Sequence, residues 1–523
     1  MEVINESYIE IHTAPTTLPY SIVGDDESFG LFTIKLKKTN IRLIPFHFVF
    51  TIDTTLSMTE SSDGSPSKMV YMQKTMIGML KYLIDLDPNV YVTINTFNTK
   101  VNTIINDILL SHGSIQFIIE KINGLIPDSS TNIQLAMEYS NKIILRNLDK
   151  YQTHQHTHIF MTDGNANMGI TNPDTLSNLI IETVTNIFIG FGKDHNTEML
   201  RKFSKKKNTE YYFVDNLENA SLVYAESIHN ILYGALQNIE FRIKNGQFYD
   251  YETNNWTSVL YENLLSSECH KFFQIKTKDK ENLEIKIMGK NISSNDIENG
   301  NIENEPSLID TVQVLPNLLV STSDEDASTT FQASPTKPTV LRTSALASNT
   351  ILPVDLTKYA YRKKVQELMF LAQNAPFVNS DIGESVFRDY FDPNDSMNIK
   401  RELQNAFKKI QNYMEENLLT EDGLLKMLCE DIYVTNKALN SSNSNMYVSA
   451  RQTSQGRQRS YNIGKTIDYN DNLIHRRKPR RSGQETDLDD YTVDNNTTTC
   501  FASPTMVDTF NDVTICTQDE NEE

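Results

Sequence analysis

Cysteine is scarce in this chain. Four residues, Cys269, Cys429, Cys500 and Cys516, are scattered over 523 positions without a CxxC pair. That spacing offers neither a disulfide framework nor a zinc cluster, and it fits a reducing compartment. Long apolar runs are missing as well: no stretch approaches ~18 uninterrupted apolar residues. The opening segment, MEVINESYIEIHTAP, has neither a basic n-region nor an apolar h-region. Secretion and membrane insertion are therefore not expected, and the cytoplasm is the expected location. Net positive charge is lacking too, since 48 Lys and Arg face 68 Asp and Glu for a formal charge of −20. Nucleic acid and anionic membrane surfaces are thus poor general partners.

What is present divides by pattern. The length exceeds what one core supports, and a hydrophobic content of 39% implies that part of the chain does not fold. Residues 1–45 carry alternating strand-like runs at Tyr8–His12 and Leu31–Leu36. Over 46–237 strands and helices alternate. The expected strands are Phe46–Ile52, Val90–Phe97, Thr103–Leu109, His158–Met161, Ile187–Phe191 and Tyr211–Val214. Between and after them lie expected helices at Lys68–Leu86, Ile115–Ile122, Ile133–Leu145, Leu176–Ile180, Met199–Lys205 and Leu217–Leu236. Such alternation predicts an α/β fold: a doubly wound, mostly parallel sheet covered on both faces, with Thr103–Leu109 as an antiparallel edge.

Strand-like runs return over 238–320, at Ile239–Ile243, Trp256–Leu260, Lys271–Ile275 and Leu283–Met288. The simplest arrangement joins them to 1–45 in an all-β sandwich into which the α/β domain is inserted. Residues 321–356, rich in Ser, Thr and Ala, read as a linker. A helical module is expected over 357–440, from Tyr359–Ala372, Met397–Leu418 and Leu424–Leu439. A polar, disordered tail is expected over 441–523.

Three loops at the carboxyl ends of expected strands supply oxygen. The first is Asp53-Thr54-Thr55-Leu56-Ser57, a DxTxS pattern. The second is Asp128-Ser129-Ser130-Thr131-Asn132 before a helix, and the third is Met161-Thr162-Asp163-Gly164. Open α/β sheets bind ligands at these strand ends. Two carboxylates and three hydroxyls at one point make a hard-oxygen site suited to Mg²⁺. Asp53 and Asp163 balance a dication formally, while Thr55, Ser57 and Thr131 add little negative charge. The cation then stays electrophilic enough to accept a partner's carboxylate.

DxTxS after an aromatic strand, Thr131-Asn132-Ile133 opening a helix, and Thr162-Asp163-Gly164 together resemble the von Willebrand factor A (VWA) fold and its metal-ion-dependent adhesion site (MIDAS). Ile187-Phe188-Ile189-Gly190-Phe191-Gly192, followed by His195-Asn196, is similar to that family's fifth strand and the turn after it. The likeness spans about Phe46 to Leu236. It departs at Thr55, where the family has Ser, and at Leu56, where the family has a small residue. The resemblance implies Mg²⁺ or Mn²⁺ held by Asp53, Thr55, Ser57, Thr131 and Asp163, and capture of an acidic residue of a protein partner. Intracellular members of this type act in multiprotein assemblies. The flanking strands resemble VWA proteins in which a sandwich brackets the inserted domain.

A metal-dependent hydrolase would need more carboxylates, and the chain has no GxxxxGK[ST], nucleophile elbow or nucleophile–base pair. It is therefore read as a non-enzyme. A scaffold using the fold without metal-dependent adhesion is the alternative function. His154, His156 and His158 alternate as zinc ligands might, but no fourth ligand lies near, and they are read as a polar start to a core strand. Trp256 is read as sandwich core. The basic run 475–481 in the tail is either a solvated charge run or an anion-binding or nuclear-import signal.

Overall fold

The computed structural model describes residues 3–12, 18–41, 44–61, 66–86, 89–192, 195–214, 220–292, 307–313, 340–343, 356–374, 394–439, 444–460, 488, 491 and 499–518. It begins with β1 (Ile4–His12) and β2 (Ser28–Leu36). The α/β unit then runs β3 (Phe46–Asp53), a 3₁₀ turn at Leu56–Thr59, α1 (Lys68–Asp85), β4 (Val90–Phe97) and β5 (Val101–Leu109). It continues through α2 (Ile115–Asn123), α3 (Ile133–Lys150), β6 (Gln155–Thr162), α4 (Pro173–Ser177), β7 (Thr185–Phe191), α5 (Thr197–Ser204), β8 (Thr209–Val214) and α6 (Ala220–Leu232). Seven strands follow: β9 (Gly234–Lys244), β10 (Gln247–Asp250), β11 (Asn255–Thr257), β12 (Val259–Ser266), β13 (His270–Thr277), β14 (Glu284–Asn291) and β15 (Ser307–Gln313). The remaining elements are β16 (Val340–Thr343), α7 (Thr357–Asn374), α8 (Asn394–Glu416), α9 (Gly423–Ala438), α10 (Ser444–Gly456) and α11 (Pro504–Gln518).

The central sheet has the order β5-β4-β3-β6-β7-β8, parallel except for β5, which pairs antiparallel with β4 at the edge. All eight residues of β3 are buried, which explains its unbroken FHFVFTID run: a central parallel strand is covered on both faces. From β3 the chain goes to β4 on one side, and later to β6 on the other. The crevice beyond the carboxyl ends of β3 and β6 is therefore the switch point of the sheet. Asp53 ends β3, and Asp163 follows the end of β6.

The two flanks do combine. One sheet has the order β11-β10-β13-β2-β1-β16, and the other β12-β9-β14-β15. β2 pairs with β13 in a register that sets Phe32 opposite Phe273. Those rings and Phe241 fill the interior, with Phe241 and Phe273 centroids 4.9 Å apart. The α/β unit is thus inserted between β2 and β9 of the sandwich. Among the described residues no helix is long and apolar enough to cross a membrane.

Several expectations need correction. The helix expected to reach Leu236 ends at Leu232, because Ala235 and Leu236 are fully buried as the start of β9. The run Trp256–Leu260 splits into β11 and β12, which belong to different sheets. Trp256 is half-buried on edge strand β11, with the Lys276 ammonium 5.2 Å from its ring, and so lies at the rim of the sandwich rather than in its core. Within the stretch read as a linker, Val340–Thr343 forms β16 and pairs with β1.

The stretch 441–523, read as disordered, contains α10 and α11. The first packs against α7 and α9, the second against α1 and α6. α10 escaped a hydrophobicity-based reading because it buries polar side chains: Ser449, Arg451, Gln452 and Gln455 are all nearly inaccessible. Buried polar groups need partners. Arg451 has Asp431 at 3.1 Å, and the Gln455 carbonyl accepts from Arg362 at 3.0 Å. Just beyond α10, Arg457 and Arg459 donate to Glu210 of β8 at 2.7 and 2.5 Å, and the Arg459 guanidinium lies 3.7 Å from the Tyr212 ring centroid. The basic run 475–481 lies outside the described residues.

Candidate metal and ligand site

Strand geometry brings the first and third loops together. β3 and β6 are parallel neighbours with Ile52 opposite Met161, so Asp53 and Asp163 emerge side by side. Both are fully buried. Asp53 is held at each oxygen: Oδ1 accepts from the Thr55 backbone N–H at 2.9 Å, and Oδ2 from the Thr162 hydroxyl at 2.6 Å. Burial first, and then the charge of Asp163, push the Asp53 carboxyl up to about 6. Two carboxylates so placed need a nearby positive charge, and the Lys68 ammonium beside Asp163 supplies one.

The hydroxyls converge on the same point. Ser57 Oγ donates to Asp163 Oδ1 at 2.8 Å and lies 3.0 Å from Thr55 Oγ1. Thr131 reaches it from the second loop. A Cβ placed on Gly164 would sit 3.4 Å from Thr131 Oγ1 and 3.8 Å from Ser57 Oγ, so the two hydroxyls flank the backbone just after Asp163. Backbone bonds fix the three loops to one another. Leu56 N–H donates to Ser129 O at 3.1 Å, Asp128 N–H to Thr54 O at 2.8 Å, and Asn167 N–H to Thr131 O at 3.1 Å. Thr131 N–H donates in return to Asn167 Oδ1 at 2.8 Å. Asn132 caps α3 by accepting from Leu135 N–H at 3.0 Å.

Of the five residues singled out in the sequence, Asp53, Thr55, Ser57 and Asp163 are brought together at the ends of β3 and β6, with Thr131 near Gly164; oxygen donors of this kind are those that Mg²⁺ and Mn²⁺ prefer. Asp53, Thr55, Ser57 and Asp163 are joined in one chain of bonds, and Thr131 lies beside Gly164, the residue that follows Asp163. Sequence reasoning missed Thr162, which orients Asp53. It also missed Lys68, whose ammonium lies 2.9 Å from Asp163 Oδ2 and 2.6 Å from Glu60 Oε2. Burial works against that charge, but the bond to Glu60 and the charge of Asp163 outweigh it and raise the lysine above its usual range. Lys68 opens α1, where nothing in its local pattern signals a carboxylate 95 positions away.

The histidines serve the sheet. His158 Nε2 is 2.9 Å from Thr51 Oγ1, and His156 Nε2 is 2.9 Å from the Tyr151 carbonyl. Among the described residues no group of three or more His, Cys, Asp or Glu is arranged to hold a metal. The hydroxyl-rich pocket is of a different kind, with two carboxylates only.

Residues 48–226 match the family model described as the von Willebrand factor type A domain, and the chain carries a VWA domain over that stretch. Solved structures with a similar fold include the von Willebrand factor type A protein from Catenulispora acidiphila. It is 11% identical, with 81% of this chain and 89% of that one covered and a TM-score of 0.48. The ArnB paralog VWA2 from Sulfolobus acidocaldarius is 12% identical over 82% and 94% of the two chains, with a TM-score of 0.42. Proximal thread matrix protein 1 from the mussel byssus, solved with a zinc-occupied MIDAS motif, is 17% identical over 36% and 46%, with a TM-score of 0.28. These distant likenesses carry no argument about function. No curated protein sequence matches the chain.

Proposed function

We propose that this chain is a binding protein whose VWA domain holds Mg²⁺, or Mn²⁺, in a MIDAS and uses it to capture a carboxylate of a protein partner. The convergence of Ser57, Thr131 and Asp163 at the β3–β6 switch point carries this reading. Asp53 and Asp163 supply the charge, Thr55 braces Ser57, and Thr162 and the Thr55 amide orient Asp53. The bound ion supplies an electrophile for the incoming carboxylate. Hydroxyls in place of further carboxylates keep that electrophile undersaturated, which suits capture better than hydrolysis.

We read the chain as a non-enzyme that works in a protein assembly within a reducing compartment, the cytoplasm. The buried free thiols of Cys269 and Cys429 support that compartment. Titration calorimetry of Mg²⁺ and Mn²⁺ into the full chain, beside Asp53→Ala, tests the metal reading. Binding in the wild type that is lost in the variant is expected. Equal heats from both proteins, or none from either, would move the scaffold reading ahead.

A further inference from the structure

Three histidines crowd the amino-terminal edge of the central sheet, the end opposite Asp53 and Asp163. The strand register sets His47 of β3 between Tyr91 of β4 and His156 of β6. The His47 and His156 rings are 5.6 Å apart, and His154, just before β6, lies 6.4 Å from His156. Tyr151 follows α3 and packs on His47 and His154, with centroids at 5.6 and 4.7 Å, and Tyr91 lies 5.4 Å from His154. His47 and His156 are buried. Even so, His47 Nδ1, His156 Nδ1 and both ring nitrogens of His154 have no hydrogen-bond partner among the described residues.

Few charges stand around these rings. The charged side chains that face them are Asp107 of β5 and Lys150 at the end of α3. Asp107 Oδ2 already accepts from Lys150 Nζ at 2.5 Å and from the Tyr151 hydroxyl at 2.7 Å, while Oδ1 lies 3.9 Å from His47 Nε2. One carboxylate, balanced by a lysine, thus serves three imidazoles. Charging all three would set like charges 5.6 and 6.4 Å apart with no further anion to meet them. Burial first, and then the charge of His156, hold His47 down to about 4, and the same two causes lower His154. Burial lowers His156 as well.

We infer that His47, His154 and His156 form an acid-opened latch: on taking up protons they part, and the 151–155 turn lifts from β3 and β4 while the sheet stays folded. Three backbone bonds hold that turn: Tyr151 N–H to Asn147 O at 2.8 Å, His154 N–H to Tyr151 O at 3.1 Å, and Gln155 N–H to Pro45 O at 2.9 Å. Lifting it brings water to the rings, whose ordinary value is 6.5, so opening binds protons. The latch is shut above pH 6.5 and loosens as pH falls towards 4. His47 alone raises the opening constant about 20-fold between pH 7 and pH 5.

Hydrogen exchange of the full chain, read by mass spectrometry as protection factors, tests the latch at pH 7 and pH 5, each with and without about 1 M urea. Protection over 147–157 is expected to fall about 20-fold or more at pH 5 and to be indifferent to urea, because local opening exposes little surface. His154→Phe keeps the ring contacts and gives up no hydrogen bond, and its fall is expected to be smaller. Equal protection at the two pH values overturns the latch. So does a fall that deepens with urea as it does over 185–191 of β7, since that reports unfolding of the whole sheet. A fall in His154→Phe equal to that of the wild type overturns the three-histidine cluster. If that variant does not fold, the wild-type comparison decides alone.

Discussion

Replacing Lys68 with Met exposes what the ammonium does at the pocket. The pair with Asp163 is buried on both sides: the side-chain exposures are 9% and 0%. Methionine keeps the apolar stem, which passes close to Gly192, and removes only the charge and its donors. Asp163 then retains the Ser57 hydroxyl and the neighbouring Asp53, with no ammonium beside it. Breaking a buried pair from one side costs about 3–5 kcal/mol, and the surviving Ser57 bond favours the lower end. For a domain of this size each kcal/mol moves the melting temperature by about 2–4 °C, so a fall of roughly 6–12 °C is expected in EDTA.

On the metal-binding reading proposed above, Mg²⁺ is expected to reverse that loss. A ligand at a thousand times its Kd adds about 4 kcal/mol, and the variant is expected to bind the ion more tightly than the wild type because no tethered ammonium competes for Asp163. Thermal unfolding followed by circular dichroism, with EDTA and with saturating Mg²⁺, reads both effects. A variant that melts in EDTA at the wild-type temperature refutes the reasoning. So does one whose gain from Mg²⁺ is no larger than that of the wild type.

Other predictions concern the frame. His158 and His195 are buried and held down to about 4 by loss of solvent, below the ordinary 6.5. Their contribution is complete above pH 6.5 and is lost as pH falls towards 4, on the order of 3 kcal/mol each at the end of that range. Urea titrations across this window check it, and a flat stability would contradict it. Burial opposes the charge of Glu210, but Arg457 and Arg459 prevail and bring it to about 2. Glu210→Gln is expected to cost about 3 kcal/mol and to raise hydrogen exchange at the 457–460 amides; unchanged protection would refute the clamp. In Gly190→Ala the new Cβ would meet the His195 ring at 2.5 Å, disturbing its bonds to the Gly192 carbonyl and the Tyr211 hydroxyl. A loss of about 1–3 kcal/mol in chemical denaturation is expected, and none would mean that the ring sits elsewhere.

The sheet was legible because parallel strands buried on both faces leave short runs rich in aromatic and β-branched residues, as in Phe46–Asp53 and Val90–Phe97. The pocket was legible because open α/β sheets place ligand groups at strand ends, so three loops could be matched to one point before any contact was known. Contacts between residues remote in sequence were not legible. Lys68 reads as an ordinary start to a helix, and Arg457 and Arg459 read as polar tail, although both arginines reach Glu210 nearly 250 positions away. α10 shows the general difficulty: its buried apolar residues, Met446, Tyr447, Val448 and Ala450, stop before its second half, which buries arginine, glutamine and serine instead. Strand β16 is only four residues long and is defined by its pairing with β1, which local composition does not reveal.

The most direct measurement is anomalous diffraction from crystals of the full chain grown in Mn²⁺. The account predicts one strong peak bounded by Ser57, Thr131 and Asp163, with a carboxylate or water completing the coordination, and its loss in crystals of Asp53→Ala. A peak elsewhere, or none while the pocket keeps the arrangement described, would contradict a metal-dependent binding role.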